Sequence, residues 1–219
     1  MAGKEVALSL IEEEFKEDQQ HLLKELLDDE KKSFQRFQRS LSLIKKILEE
    51  EERKYEDIRE EAFFSSYEKA YDKFYSNYDD SSLLKGTWKK EIGLSDGFLG
   101  RIYYHALDYV QREEFLRAEE LMFFLVFIDV ISYDYWFLYA TILQQLEQYK
   151  EAIESYLMSL YANPQEAQPF LEISVCYFHM GEKEKCRTAL GHYLDIVGDD
   201  PEIEDYEDFI EEEFSEDAY

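Results

Sequence analysis

The chain has 219 residues, with 24 basic and 51 acidic side chains, a net charge of −27 and 16% aromatics. This acidity excludes phosphate backbones and anionic membrane surfaces as partners, because like charges repel. The aromatic content excludes a disordered chain, and the length suits one domain plus an extension.

Residues 1–29 read as an acidic helix, with Ser9 and Glu12 spaced as a capping box. A heptad pattern follows over residues 23–62: Leu23, Leu27, Glu30, Phe34, Phe37, Leu41, Ile44, Leu48, Glu51, Tyr55, Ile58 and Ala62. Such a narrow seam needs a partner, which could be its own neighbour in the chain, a second copy or the rest of the protein. From Phe64 the stripe turns aromatic, through Tyr67, Tyr71, Phe74 and Tyr78. The run 76–82 then ends the helix by turn and cap chemistry. Residues 83–98 hold Gly86, Gly93 and Gly97, with Trp88 and Ile92 as anchors and Ser95-Asp96 as the cap of the next helix.

Residues 99–200 align as three rows of 34 without insertions, beginning at Leu99, Tyr133 and Ala167. The fourth position is large in each row (Ile102, Trp136, Phe170) and the eighth is small (Ala106, Ala140, Ser174). The eleventh is large (Tyr109, Leu143, Tyr177), the twentieth small (Ala118, Ala152, Cys186) and the twenty-fourth large (Met122, Tyr156, Leu190), and Pro164 closes the second row. This is the tetratricopeptide pattern of one helix–turn–helix per repeat. Small residues at eight and twenty let two backbones approach, and the large ones fill the space around the contact. After Gly198-Asp199-Asp200-Pro201, residues 199–219 hold twelve acids and no Lys or Arg. Ile203, Tyr206, Phe209 and Ile210 fit a final helix covering the end of the stack.

The expected fold class is therefore all-α: a tetratricopeptide-repeat superhelix of three repeats plus a capping helix, with a long helical N-terminal extension. The expected divisions are 1–82, 83–200 and 201–219. The longest apolar run, Leu121 to Ile131, is interrupted by Asp129. It is shorter than the ~18–20 residues that span a bilayer, and no signal-peptide pattern is visible. A cytoplasmic protein without stable membrane insertion is expected. Cys176 and Cys186 fall on repeat core faces and read as buried, reduced thiols.

Catalytic patterns are lacking: no phosphate loop, no dinucleotide fingerprint and no His-Glu-x-x-His. His21, His105, His179 and His192 are scattered, and His105 falls at a packing position. No catalytic residue, cofactor or metal is expected. The informative surface is the concave face lined by the first helix of each repeat. Its positions are Gly100, Tyr103, Leu107 and Val110; Asp134, Phe137, Thr141 and Gln144; and Gln168, Leu171, Val175 and Phe178. Only Asp134 among them is charged, so an apolar groove inside an acidic shell is expected, suited to an extended hydrophobic peptide. A groove filled by the chain's own N-terminal helix is the alternative. Repeats that clamp acidic heat-shock C-termini need Lys and Asn on this face, and Tyr103, Leu107, Gln168 and Glu172 supply no cation there.

The run 94–107 (Leu-Ser-Asp-Gly-Phe-Leu-Gly-Arg-Ile-Tyr-Tyr-His-Ala-Leu) and Phe115-Leu116-Arg117-Ala118-Glu119 resemble the first repeat of class II chaperones of bacterial type III secretion, the low-calcium-response H type. The likeness continues through residues 133–138 and 148–153 to Gly181-Glu182-Lys183, covering about 83–200. It implies a bacterial cytoplasmic, non-enzymatic chaperone that keeps hydrophobic translocators soluble before export, with a gatekeeper protein as a further partner. The client segment would lie on Tyr103, Leu107, Val110, Phe137, Thr141, Gln144, Leu171, Val175 and Phe178. A homodimer through the N-terminal helices is also implied, although the extension of roughly 80 residues is longer than the family's. A scaffold that joins folded proteins through the acidic surface and the helical extension is the alternative function.

Overall fold

The computed structural model describes residues 30–50 and 94–198, with side chains over 35–48 and 94–198. The expected first helix, the aromatic stripe from Phe64, the Trp88–Ile92 anchor segment and the acidic final helix lie outside the described residues. So do the boundaries at residue 82 and residue 200. Among the described residues there are seven helices and no strand. They are α1 (Glu30–Glu50), α2 (Asp96–Gln111), α3 (Phe115–Ile128), α4 (Tyr133–Gln145), α5 (Tyr149–Ala162), α6 (Gln168–His179) and α7 (Lys183–Val197). No described helix is long and apolar enough to cross a membrane.

Helices α2 to α7 form three antiparallel pairs, one per row of the sequence repeat, and each pair packs on the next. The small residues at positions eight and twenty lie at the heart of each pair: Ala106, Ala140, Ser174, Ala118, Ala152 and Cys186 have no exposed surface. Around them Ile102, Trp136, Phe170, Met122, Tyr156 and Leu190 are buried. The eleventh position is less uniform, for Leu143 is buried while Tyr109 and Tyr177 are half-buried. The Trp136 indole N–H donates to the Val130 carbonyl at 2.8 Å, tying α4 to the turn before it. Ser95 caps α2 as expected: its hydroxyl accepts from the Phe98 N–H at 3.2 Å, with Asp96 in the first turn.

The turn inside each pair repeats with the same period. Glu113, Glu147 and Gly181 all have positive φ, at 59°, 59° and 71°. In each turn this residue donates to the carbonyl three back: Val110, Gln144 and Phe178, at 3.0, 3.0 and 2.9 Å. The next residue donates five back, to Tyr109, Leu143 and Tyr177, each at 2.9 Å. This is the Schellman closure, which satisfies carbonyls left over at a helix end and favours glycine at the left-handed position. The third repeat has that glycine and the first two use glutamate.

The described part of the seam, residues 35–48, finds its partner within the chain, and the rest of the expected heptad lies outside the described residues. Phe37, Leu41, Ile44 and Ile47 of α1 are buried against α3. The Phe37 ring lies 5.5 Å from Phe124 and 5.0 Å from Phe127. Leu48, expected on the heptad seam, is only half-buried, and Ile47 takes its place. A straight helix turns 3.6 residues per turn, so the buried stripe drifts off a strict seven-residue repeat within three turns. The apolar run from Leu121 to Ile131 is helical only as far as Ile128; Asp129 and Val130 stay buried in the turn that follows, and Ile131 is exposed.

Candidate functional site

The nine positions expected to line the concave face come from the first helices of the three pairs: α2, α4 and α6. All nine are half-buried, neither sealed in the core nor fully exposed. They divide into three neighbourhoods. On α2, Tyr103 lies 5.5 Å from the Tyr135 ring, which joins the first repeat to the second, and Val110 packs on the main core. On α4, Phe137 stacks on Tyr133 at 5.6 Å and meets the Tyr156 ring edge-on at 5.5 Å. On α6, Leu171 and Phe178 pack against Cys186 and Leu190 of α7. Leu107 and Val175 complete the half-buried set.

The middle neighbourhood carries a hydrogen-bonded ladder. The Tyr156 hydroxyl, reaching from α5, donates to Gln144 Oε1 at 2.6 Å and lies 3.3 Å from Thr141 Oγ1. Thr141 is committed to the Phe137 carbonyl at 2.9 Å. Gln144 Nε2 donates to Glu172 Oε2 at 3.3 Å, and Gln168 Nε2 donates to Glu172 Oε1 at 2.9 Å. The carboxylate only accepts, so the Gln144 amide must turn its NH2 toward Glu172 and its oxygen toward Tyr156. The ladder thus fixes the orientation of three side chains and links α4, α5 and α6.

Sequence reasoning placed Tyr156 in the core and did not count it among the groove residues. Its ring is core, but its hydroxyl belongs to the ladder. A tyrosine at a position filled by Met122 and Leu190 in the other rows was the available signal, since a buried tyrosine hydroxyl needs a partner. The ladder sets the Glu172 carboxylate, which is not among the twelve positions, beside Gln144 and Gln168, which are.

The electrostatics follow from this arrangement. Burial first, then the charges of Glu166 and Asp134, pushes the Tyr133 hydroxyl up to about 12. Burial, then Asp134, raises Tyr103. Burial, then Glu172, pushes the Cys176 thiol up to about 12. Tyr156 is also raised, chiefly by burial, with Thr141 opposing and Glu172 adding to the shift. No described group of His, Cys, Asp and Glu residues could hold a metal. Both cysteines are free and buried, and Cys186 is pushed up to about 11 by burial. Expected at a packing position, His105 is half-buried, and His179 stacks on Tyr149 at 5.1 Å.

A pocket lies away from these nine positions, between α1, α2 and α3. It encloses about 680 Å³ and is lined by Arg39, Lys46, Ile47, Tyr109, Arg117 and Glu120 among others. Its mixed, largely polar wall contrasts with the mostly apolar set of nine positions.

No protein-family model matches the chain, and no curated protein matches it in sequence. Solved structures do match its fold. A chain of the CopN–Scc3 complex superposes with a TM-score of 0.54 at 17% identity, covering 78% of this chain and 95% of that one. A chain of a T3SS complex from Aeromonas hydrophila superposes at 0.53 and 18%, covering 62% and 91%. The Yersinia enterocolitica type III secretion translocator chaperone SycD aligns at 0.49 and 18%, covering 59% and 97%. The likeness at 0.54 and 0.53 gives this chain the helical repeat fold found in those complexes.

Proposed function

We propose that this chain is a non-enzymatic type III secretion chaperone that holds an extended apolar segment of a hydrophobic translocator on the concave face of its repeats. The observation that carries this reading is the state of the nine concave positions. On a chain that is 34% charged, they are uncharged, rich in apolar groups and half-buried. Large side chains laid on such a face gain about 1.5–3 kcal/mol each on burial, before ordering costs. The fold shared with chains of type III secretion complexes and the resemblance of residues 94–119 to translocator chaperones support this choice of client. A gatekeeper protein is a second client of the same face.

The test is co-expression with a hydrophobic translocator. The wild-type chain keeps it soluble, whereas Phe137→Glu, which sets a charge in the middle of the face, releases it while the helical signal and melting temperature are kept. Solubility retained by a folded Phe137→Glu chain would count against the reading. A scaffold acting through exposed charge would instead lose its partner as salt rises, since such contacts are screened within about 8–10 Å at physiological ionic strength. The apolar face should hold its client in high salt.

A further inference from the structure

The ladder on the concave face has a consequence for the client. Glu172 sits half-buried between α4 and α6, with one oxygen held by Gln144 and the other by Gln168. Both donors are neutral amides, so they fix the carboxylate in place without cancelling its charge. No described Lys, Arg or His forms an ion pair with it. Helices α4 and α6 and the turn 163–167 contain no Lys or Arg at all. The charge reaches the floor of the face, where it contributes to raising Cys176 and Tyr156.

In the free protein, water solvates the open side of Glu172. An apolar segment laid across Phe137, Tyr156 and Leu171 removes that water. A carboxylate covered by hydrocarbon without a partner is strongly unfavourable, and a purely apolar client would bear that penalty. A cation on the client removes it, because each oxygen of Glu172 keeps a lone pair beyond the amide it already accepts. We propose that the bound segment carries a lysine or arginine among its apolar residues, and that Glu172 receives it. This rests on the groove reading above and adds a specificity-determining residue to it. The chain's own cationic cleft between α1, α2 and α3 is a separate surface and is not involved.

The probe is a random linear 12-residue peptide library, selected on the full-length chain and on full-length Glu172→Gln. The glutamine keeps the size and the hydrogen-bonding reach of the side chain, and an unchanged melting temperature confirms its fold. On the wild-type chain the selected peptides should share apolar residues and one Lys or Arg at a fixed spacing from them. On Glu172→Gln the apolar preference should remain and the basic one should vanish. A selected peptide resynthesised with norleucine for that Lys or Arg should bind the wild-type chain on the order of ten-fold more weakly, the scale of one charge-assisted hydrogen bond, yet lose less than about two-fold on Glu172→Gln. Apolar peptides selected without a basic preference, or an equal norleucine loss on both proteins, would overturn the proposal and leave the groove reading standing. Failure of both proteins to select apolar peptides would overturn the groove reading, and the proposal with it.

Discussion

The Arg36 guanidinium of α1 pairs with the Glu119 carboxylate of α3, in a contact where both side chains are largely withdrawn from water, at 28% and 12% exposure. The same guanidinium lies 4.2 Å from the Phe123 ring centroid and donates to the Tyr139 hydroxyl, which also donates to Glu119 at 3.3 Å. One charge from the extension thus reaches the first and second repeats together.

Removing Arg36 alone strands a buried carboxylate. Arg36→Ala should cost about 3 kcal/mol in urea unfolding, the scale for breaking a buried pair. Arg39 and Glu120 are 3.9 Å apart with Arg39 mostly in water, so Arg39→Ala should cost less than about 0.5 kcal/mol. Equal costs for the two variants would show that the Arg36 site is not the anchor of α1.

The left-handed turns predict an unusual gain. A non-glycine residue in that conformation costs roughly 1–2 kcal/mol, part of which glycine gives back through its larger unfolded-state entropy. Glu113→Gly and Glu147→Gly should each stabilise the chain by about 0.5–1 kcal/mol, and Gly181→Ala should destabilise it by a similar amount. Urea midpoints of the three variants check the signs.

Overpacking tests the close helix contacts. Ala152 has no exposed surface and sits where α4 and α5 approach. Ala152→Leu should cost roughly 1–3 kcal/mol. A melting temperature unchanged by this substitution would mean that the pair has slack there.

The thiols set an alkaline limit. Cys176 is pushed from 9.0 up to about 12 by burial first and then by Glu172. Below pH 9 the thiol is neutral in both states and costs nothing. Between about 9 and 12 the unfolded chain loses the proton and the folded chain keeps it, so stability falls as pH rises. Urea midpoints should be flat up to about pH 9 and then decline, and Cys176→Ala should decline less steeply. Aromatic disulfide reagents should label Cys176 slowly at pH 8 until urea is added.

The repeat was legible in the sequence because its cause is steric. Two backbones approach most closely where residues are small, so Ala106, Ala118, Ala140, Ala152, Ser174 and Cys186 announce the points of closest contact in one dimension. The turns were legible only at Gly181, since nothing in the letters Glu113 and Glu147 reveals a positive φ. The heptad showed that α1 had a stripe to bury but not against what, because α3, also apolar on its outer side, reads simply as a buried helix. The ladder was not legible from the rows, because it depends on a tyrosine hydroxyl reaching across from a second helix, and periodicity carries no information about reach.

The docking of α1 also bears on how two copies could meet. Its apolar stripe of Phe37, Leu41, Ile44 and Ile47 is already occupied by α3 of the same chain. Between residues 35 and 48 a twin molecule therefore finds an outer surface of Gln35, Gln38, Arg39, Ser42, Lys45 and Lys46, all polar, and a dimer that used the buried stripe must first prise the helix off its own repeats.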